Sequence, residues 1–182
     1  GDWWAGRLSH GVPVIQVMAN VGSVADATKV QSADGVGLLR TELFFLDHKI
    51  SPTRAQQVKI YEQVLAAGPD GEIIVRTLDA GSDKPIAFLG LGREENPALG
   101  MRGQRVAVIS PQFFEDQLHA IKAAADSVRA TGKKIEVSVM APMIATVEEA
   151  EQFSKAARAA GFTRVGIMIE IPAITRVIPQ LK

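Results

Sequence analysis

The sequence predicts an α/β fold in which parallel strands are covered by helices. Short apolar runs alternate with longer segments of helical periodicity. Runs such as Val36–Leu39 and Val165–Ile169 are apolar at successive positions, so both of their faces are buried, as a parallel sheet requires. The order strand, helix, strand, helix then recurs along the chain, as crossover units demand. Periodicity alone leaves an open doubly wound sheet and a closed barrel as alternatives.

The first strand is predicted over Val12–Ala19, broken by Asn20-Val21-Gly22. Ser23 offers an N-cap for a short helix through about Ser32. Val36–Leu39 is the second strand. Ser51-Pro52 opens a helix with a capping hydroxyl and a first-turn proline, and Ala55, Val58, Tyr61, Val64 and Leu65 form its apolar face until Gly68. Ile73–Val75 is the third strand. Ala80–Glu95, rich in glycine, proline and charge, reads as a long loop, a length often tied to function. Ser110-Pro111 repeats the cap-and-proline signal, and Phe114, Leu118, Ile121, Ala125 and Val128 face one way until Gly132. Ile135–Met140 is a strand. Thr146 and Glu149 form a capping box for a helix carrying Phe153, Ala156, Ala157 and Ala160. Val165–Ile169 is the last full strand, and Thr175–Lys182 starts a further helix.

The chain has 182 residues, enough for one domain with a sizeable core, and 47% of them are hydrophobic. Twenty basic and twenty acidic residues give a net charge of +0, which argues against a general nucleic-acid binder. With no cysteine, the chain has no disulfide, thiolate metal site or cysteine nucleophile, and a cytoplasmic location is expected. No apolar run approaches the roughly 20 residues of a membrane span, so membrane insertion is not expected. The opening GDWWAGRLSH shows neither an initiator Met nor a signal-peptide pattern. Residues 1–12 read as a linker or interdomain remnant, with Trp3 and Trp4 as packing anchors, and residues 13–182 as the domain. No dinucleotide glycine fingerprint or P-loop follows any strand.

In parallel α/β folds ligands meet the C-terminal ends of the strands. Arg40 ends the second strand, Arg76 the third and Glu170 the last. On neighbouring strands these groups converge: two guanidiniums suit a phosphate or carboxylate, and a rim carboxylate suits Mg²⁺. The structural alternative is that Glu42 and Asp79 pair with the two arginines and that Glu170 is a satisfied carboxylate. Arg102 and Arg105, beyond the Asn96–Gly100 turn, are further candidates, whereas Lys84 and Arg93 read as solvated. His10, His48 and His119 share no metal-ligand spacing and read as non-catalytic.

In order along the chain, GVGLLRTELFF, SPTRAQQ, IIVRTLDAGSDKP, EENPALGMRGQR, VMAPMIATVEE and GIMIEIPA resemble the C-terminal domain of the enzyme I family of phosphoenolpyruvate–protein phosphotransferases. The resemblance covers nearly everything from Val14 to Lys182. It implies a (β/α)8 TIM barrel of the phosphoenolpyruvate/pyruvate type that binds phosphoenolpyruvate with Mg²⁺ and forms a homodimer. It implies that Arg40 and Arg76 hold the substrate phosphate, that Arg102 is a further active-site arginine, and that Glu170 is one of two Mg²⁺ ligands. The phosphoryl group would pass to a histidine on a separate domain and then to a histidine-containing phosphocarrier protein, the first step of sugar uptake.

Against that family pattern, the second metal-binding carboxylate, a later arginine, the proton-donating cysteine and the phosphorylatable histidine domain are not found in the sequence. The expected fold is therefore an incomplete barrel of about six of the eight units, counting a weak strand near Ala98–Arg102. The chain alone is expected not to complete the reaction, and its open parallel edge is expected to promote association. Phosphoenolpyruvate synthase and pyruvate phosphate dikinase are the enzymatic alternatives, with a carbon–carbon lyase barrel weaker because it leaves Arg40 and Arg76 together unexplained. The TELFF and LDAGSDKP stretches favour enzyme I. A dimerisation module without catalysis is the alternative of another class.

Overall fold

Five parallel strands form one sheet in sequential order in a computed structural model that describes residues 15–83 and 86–181. The strands are β1 (Met18–Val21), β2 (Gly35–Arg40), β3 (Gly71–Arg76), β4 (Ile135–Ala141) and β5 (Val165–Ile167). Four helices connect them: α1 (Val24–Lys29), α2 (Arg54–Ala67), α3 (Pro111–Ala130) and α4 (Val147–Ala159). Each crossover moves the chain one strand further without reversing, whereas a doubly wound sheet reverses its order at a switch point. Successive helices pack side by side, α1 on α2, α2 on α3 and α3 on α4.

Local chemistry explains where the elements begin. Ser23 caps α1 by accepting from the Asp26 amide at 3.0 Å. The predicted capping box of α4 is present, with Thr146 and Glu149 each satisfying the other's backbone N–H. α2 begins two residues later than its Ser-Pro signal predicts. Thr53 and Gln56 form a reciprocal capping box there, so Thr53 is the cap and Ser51-Pro52 remains outside the helix. α3 does start at Pro111, although the Ser110 side chain makes no capping bond. Gly35 and Gly71 open adjacent strands at φ +156° and +100°, where a Cβ would lie 2.2 Å from the Glu72 carbonyl and 2.4 Å from the Asp34 carbonyl.

Several predicted elements differ. β1 includes Asn20 and Val21, the residues expected to break it, while Val12–Val14 and the proposed 1–12 linker with Trp3, Trp4 and His10 lie outside the described residues. Ala98–Arg102 is no strand; it is a turn leading into a 3₁₀ segment at Gly103–Val108, because Pro97 and Gly100 favour turning over pairing. The sixth strand position is thus removed. Ala55 and Ala156 are exposed rather than core-facing. Where a helix over Thr175–Lys182 is predicted, the described residues form two short 3₁₀ turns, Pro172–Arg176 and Ile178–Gln180.

The core lies between the sheet and the helices. At its upper end Phe45, fully buried, meets Tyr61, Phe88 and Phe113 edge-on, with ring centroids 6.4, 6.4 and 5.6 Å away. Phe88 belongs to the β3–α3 connection, so this cluster, with buried Ile86 and Leu89, anchors the long loop near the strand ends.

Candidate functional site

The C-terminal ends of β2 and β3 carry Arg40 and Arg76 as register partners. Paired positions on adjacent strands face the same way, so both side chains leave the sheet on one side. Their surroundings differ. Arg76 is nearly buried, with Nη2 2.7 Å from Oε1 of wholly buried Glu42 and Nη1 3.0 Å from Oδ2 of Asp79. Its Nη1 also lies 3.8 Å from the sulfur of Met168 beyond β5. Among the described residues Arg40 makes no hydrogen bond or salt bridge, although its charge helps hold the Asp26 carboxyl ionised; its Nε, like that of Arg76, is buried without a partner. Gly22 lies beside it: a Cβ there would meet Arg40 Nη2 in ordinary contact at 3.6 Å but would press on Leu43 Cδ1 at 2.4 Å.

Asp79 continues the chain of charges. Its Oδ1 accepts from Arg102 Nε at 2.9 Å, and Arg102 Nη1 reaches Oδ2 of Asp83 at 3.0 Å. The hydrogen bond to Asp79 is the main reason the Arg102 guanidinium holds its proton more tightly than usual. Arg105 is drawn away from this set, donating to the Gly100 carbonyl at 2.7 Å. Arg93 is exposed as expected, and Lys84 lies outside the described residues.

Glu170 reaches the same edge from beyond β5. Its Oε1 accepts from the Met143 amide at 2.7 Å. Met143 is the one non-glycine residue at positive φ (59°) among those described. Gly103, next to Arg102, has φ +57°, and a Cβ on it would sit 2.9 Å from Met143 Cβ. The Arg102 turn therefore packs on the residue that holds Glu170. Among the described residues no group of three His, Asp or Glu side chains is arranged to hold a metal. Glu170 is exposed and only Oε1 is engaged, a donor that fits a Mg²⁺ ion held through one carboxylate and substrate oxygens.

The structural alternative, pairing by Glu42 and Asp79, holds for one of the two arginines. Arg76 is so paired, and Arg40 has no salt bridge among the described residues. The Arg102–Asp83 contact and the role of Met143 had no sequence signal. Gln117 did: it is a polar residue inside the apolar stripe of α3, and it is wholly buried. His48 stacks edge-on with Phe45 at 5.7 Å, and His119 lines a groove between α3 and α4.

A sequential parallel sheet covered by helices defines a class of α/β protein whose ligand-facing edge is the C-terminal ends of the strands, where Arg40, Arg76 and Glu170 lie. Within that class, the profile of the family described as "PEP-utilising enzyme, PEP-binding domain" matches residues 7–182, and the chain belongs to this family. It is 44% identical over 168 residues to a phosphoenolpyruvate-protein phosphotransferase of Streptomyces coelicolor, covering 90% of this chain and 29% of that protein. It is 40% identical over 173 residues to the protein of the same name from Haloferax volcanii, covering 87% and 30%. A multiphosphoryl transfer protein of Rhodobacter capsulatus is 40% identical over 175 residues, covering 92% and 20%. The chain thus spans less than a third of the length of these relatives.

Proposed function

We propose that this chain is the phosphoenolpyruvate-binding part of an enzyme I-type phosphotransferase, which moves the phosphoryl group of phosphoenolpyruvate to a protein histidine. The observation that carries the reading is Arg40: a guanidinium at a strand end, beside Arg76, with no hydrogen bond or salt bridge among the described residues and only a through-space attraction to the Asp26 carboxylate, which itself accepts from the Gly22 amide. An arginine without a direct salt bridge in a partly buried place favours an incoming phosphate or carboxylate. The names of the relatives favour the phosphotransferase over the synthase and dikinase alternatives.

On this reading Arg40 and Arg76 grip the phosphate and Arg102 closes the set. Glu42 and Asp79 hold Arg76 by two of its nitrogens, so its direction is set before substrate arrives. Asp79 does the same for Arg102. Phosphoryl transfer rests on such positioning and on neutralising charge at the equatorial oxygens. Glu170 would hold Mg²⁺, which when bound supplies further positive charge at the phosphate and the developing enolate. The sequential strand order supports a (β/α)8 barrel as the parent architecture. The acceptor histidine, the phosphocarrier partner, the homodimer and the cytoplasmic setting follow from the family resemblance.

Titration calorimetry with phosphoenolpyruvate and Mg²⁺ tests the reading. Heat that disappears in both Arg40→Ala and Arg76→Ala supports it. Unchanged heat in those variants refutes it, and no heat from the unmodified chain leaves the dimerisation module as the better account.

A further inference from the structure

We propose that Gln117 is a positioning residue for the arginine pair, an inference that rests on the reading of Arg40 and Arg76 as substrate-binding groups. Gln117 sits on α3 with no exposed surface, among Phe113, Phe114 and Leu118. An amide in that setting is costly unless its hydrogen bonds are met. Here they are. Nε2 donates to the Tyr61 hydroxyl at 2.9 Å and to Oγ1 of Thr41 at 3.2 Å, while Oε1 accepts from the Leu78 amide at 3.0 Å. Thr41 Oγ1 in turn donates to the Arg76 carbonyl at 2.9 Å.

The placement of these bonds is the point. Strand pairing between β2 and β3 ends at Arg40 and Arg76. Directly beyond it, Gln117 holds the residue after Arg40 and the residue two after Arg76, and Thr41 closes the link back to Arg76. One buried side chain therefore takes over where the ladder stops and sets the separation of the two strand tips. Tyr61 on α2 fixes the amide from the far side; burial keeps its hydroxyl protonated well above the ordinary range, against the opposing effect of its bond to Gln117. Glutamate lacks both donors, and leucine pairs with none of the three partners.

The experiment compares Gln117→Leu with Phe153→Leu, a buried substitution on α4 away from the strand tips. Three quantities are read on the full chain: thermal midpoint, affinity for phosphoenolpyruvate with Mg²⁺, and the Nε–Hε NMR signals of Arg40 and Arg76. Both variants lower the midpoint. Only Gln117→Leu is expected to weaken binding, by about tenfold or more, and to move the arginine signals. Thr41→Val, which removes the link to the Arg76 carbonyl, gives the same pattern and serves if Gln117→Leu does not fold. Arginine signals at their unmodified positions, with affinity no weaker than in Phe153→Leu, overturn the proposal. If the arginine signals respond to Gln117→Leu while Arg40→Ala binds phosphoenolpyruvate normally, the substrate reading fails and the positioning link stands.

Discussion

Arg40 and Arg76 stand opposite each other at the ends of β2 and β3, and only Arg76 is neutralised by carboxylates. One strand tip is thus a buried salt-bridge network and the other a cation with no salt bridge among the described residues. This asymmetry separates binding from stability in a way that substitution can measure.

Arg40→Ala removes no salt bridge among the described residues, so the thermal midpoint should move little. Phosphoenolpyruvate affinity should fall by about one to two orders of magnitude, the equivalent of roughly 1.5–3 kcal/mol for a hydrogen bond to a charged group. Parallel calorimetry and thermal melts check both halves of the statement.

Arg76→Ala should behave differently. It strands Glu42, which has no exposed side-chain surface. Removing one partner of a buried pair costs about 3–5 kcal/mol. Urea unfolding should show that loss in addition to lost binding. A variant as stable as the parent would contradict the buried network.

Gly103→Ala tests the support of Glu170. Its φ of +57° and the 2.9 Å approach of a new Cβ to Met143 predict a destabilisation of about 1–2 kcal/mol. The push on Met143 should disturb the amide that holds Glu170, so the Mg²⁺ concentration needed for binding should rise. Titrating Mg²⁺ at fixed phosphoenolpyruvate reads this directly.

The acid limb of stability has two identified sources. The Asp26 carboxyl is held below its ordinary value by the Ser23 side chain first and the Gly22 amide next. That of Glu148 is held low by its own backbone amide and then by Thr146. A depressed carboxyl pKa adds stability that is present above the unfolded value and lost as pH falls through the folded one. The α1 and α4 caps should therefore weaken below about pH 4, the ordinary carboxylate range. Glu148 is exposed and Asp26 only half-buried, so the effect is small. Unfolding curves of Asp26→Asn and Glu148→Gln should be flatter on the acid side than the parent's.

Much of the fold was legible because its signals were local. The Thr146–Glu149 box and the apolar stripe of α3 each need only a few residues of context. The failures came where two local signals competed. Thr53–Gln56 outbid Ser51-Pro52, and Pro97 with Gly100 made a turn of the stretch near Ala98–Arg102 counted as a weak strand. At the site, the strand-end arginines were visible from sequence, and so was their possible pairing. Which arginine is paired depends on contacts 34 residues apart, between Arg76 and Glu42, that no spacing rule encodes. The left-handed backbone of Met143 is set by tertiary packing on Gly103 and leaves no trace in composition.

The central claim is that the cation at Arg40 is there for an anionic substrate. Calorimetric titration of the chain with phosphoenolpyruvate in the presence of Mg²⁺, run beside Arg40→Ala, tests it most directly. The account predicts saturable binding that the substitution weakens at least tenfold while the melting curve stays in place. Equal binding by the two proteins would contradict it.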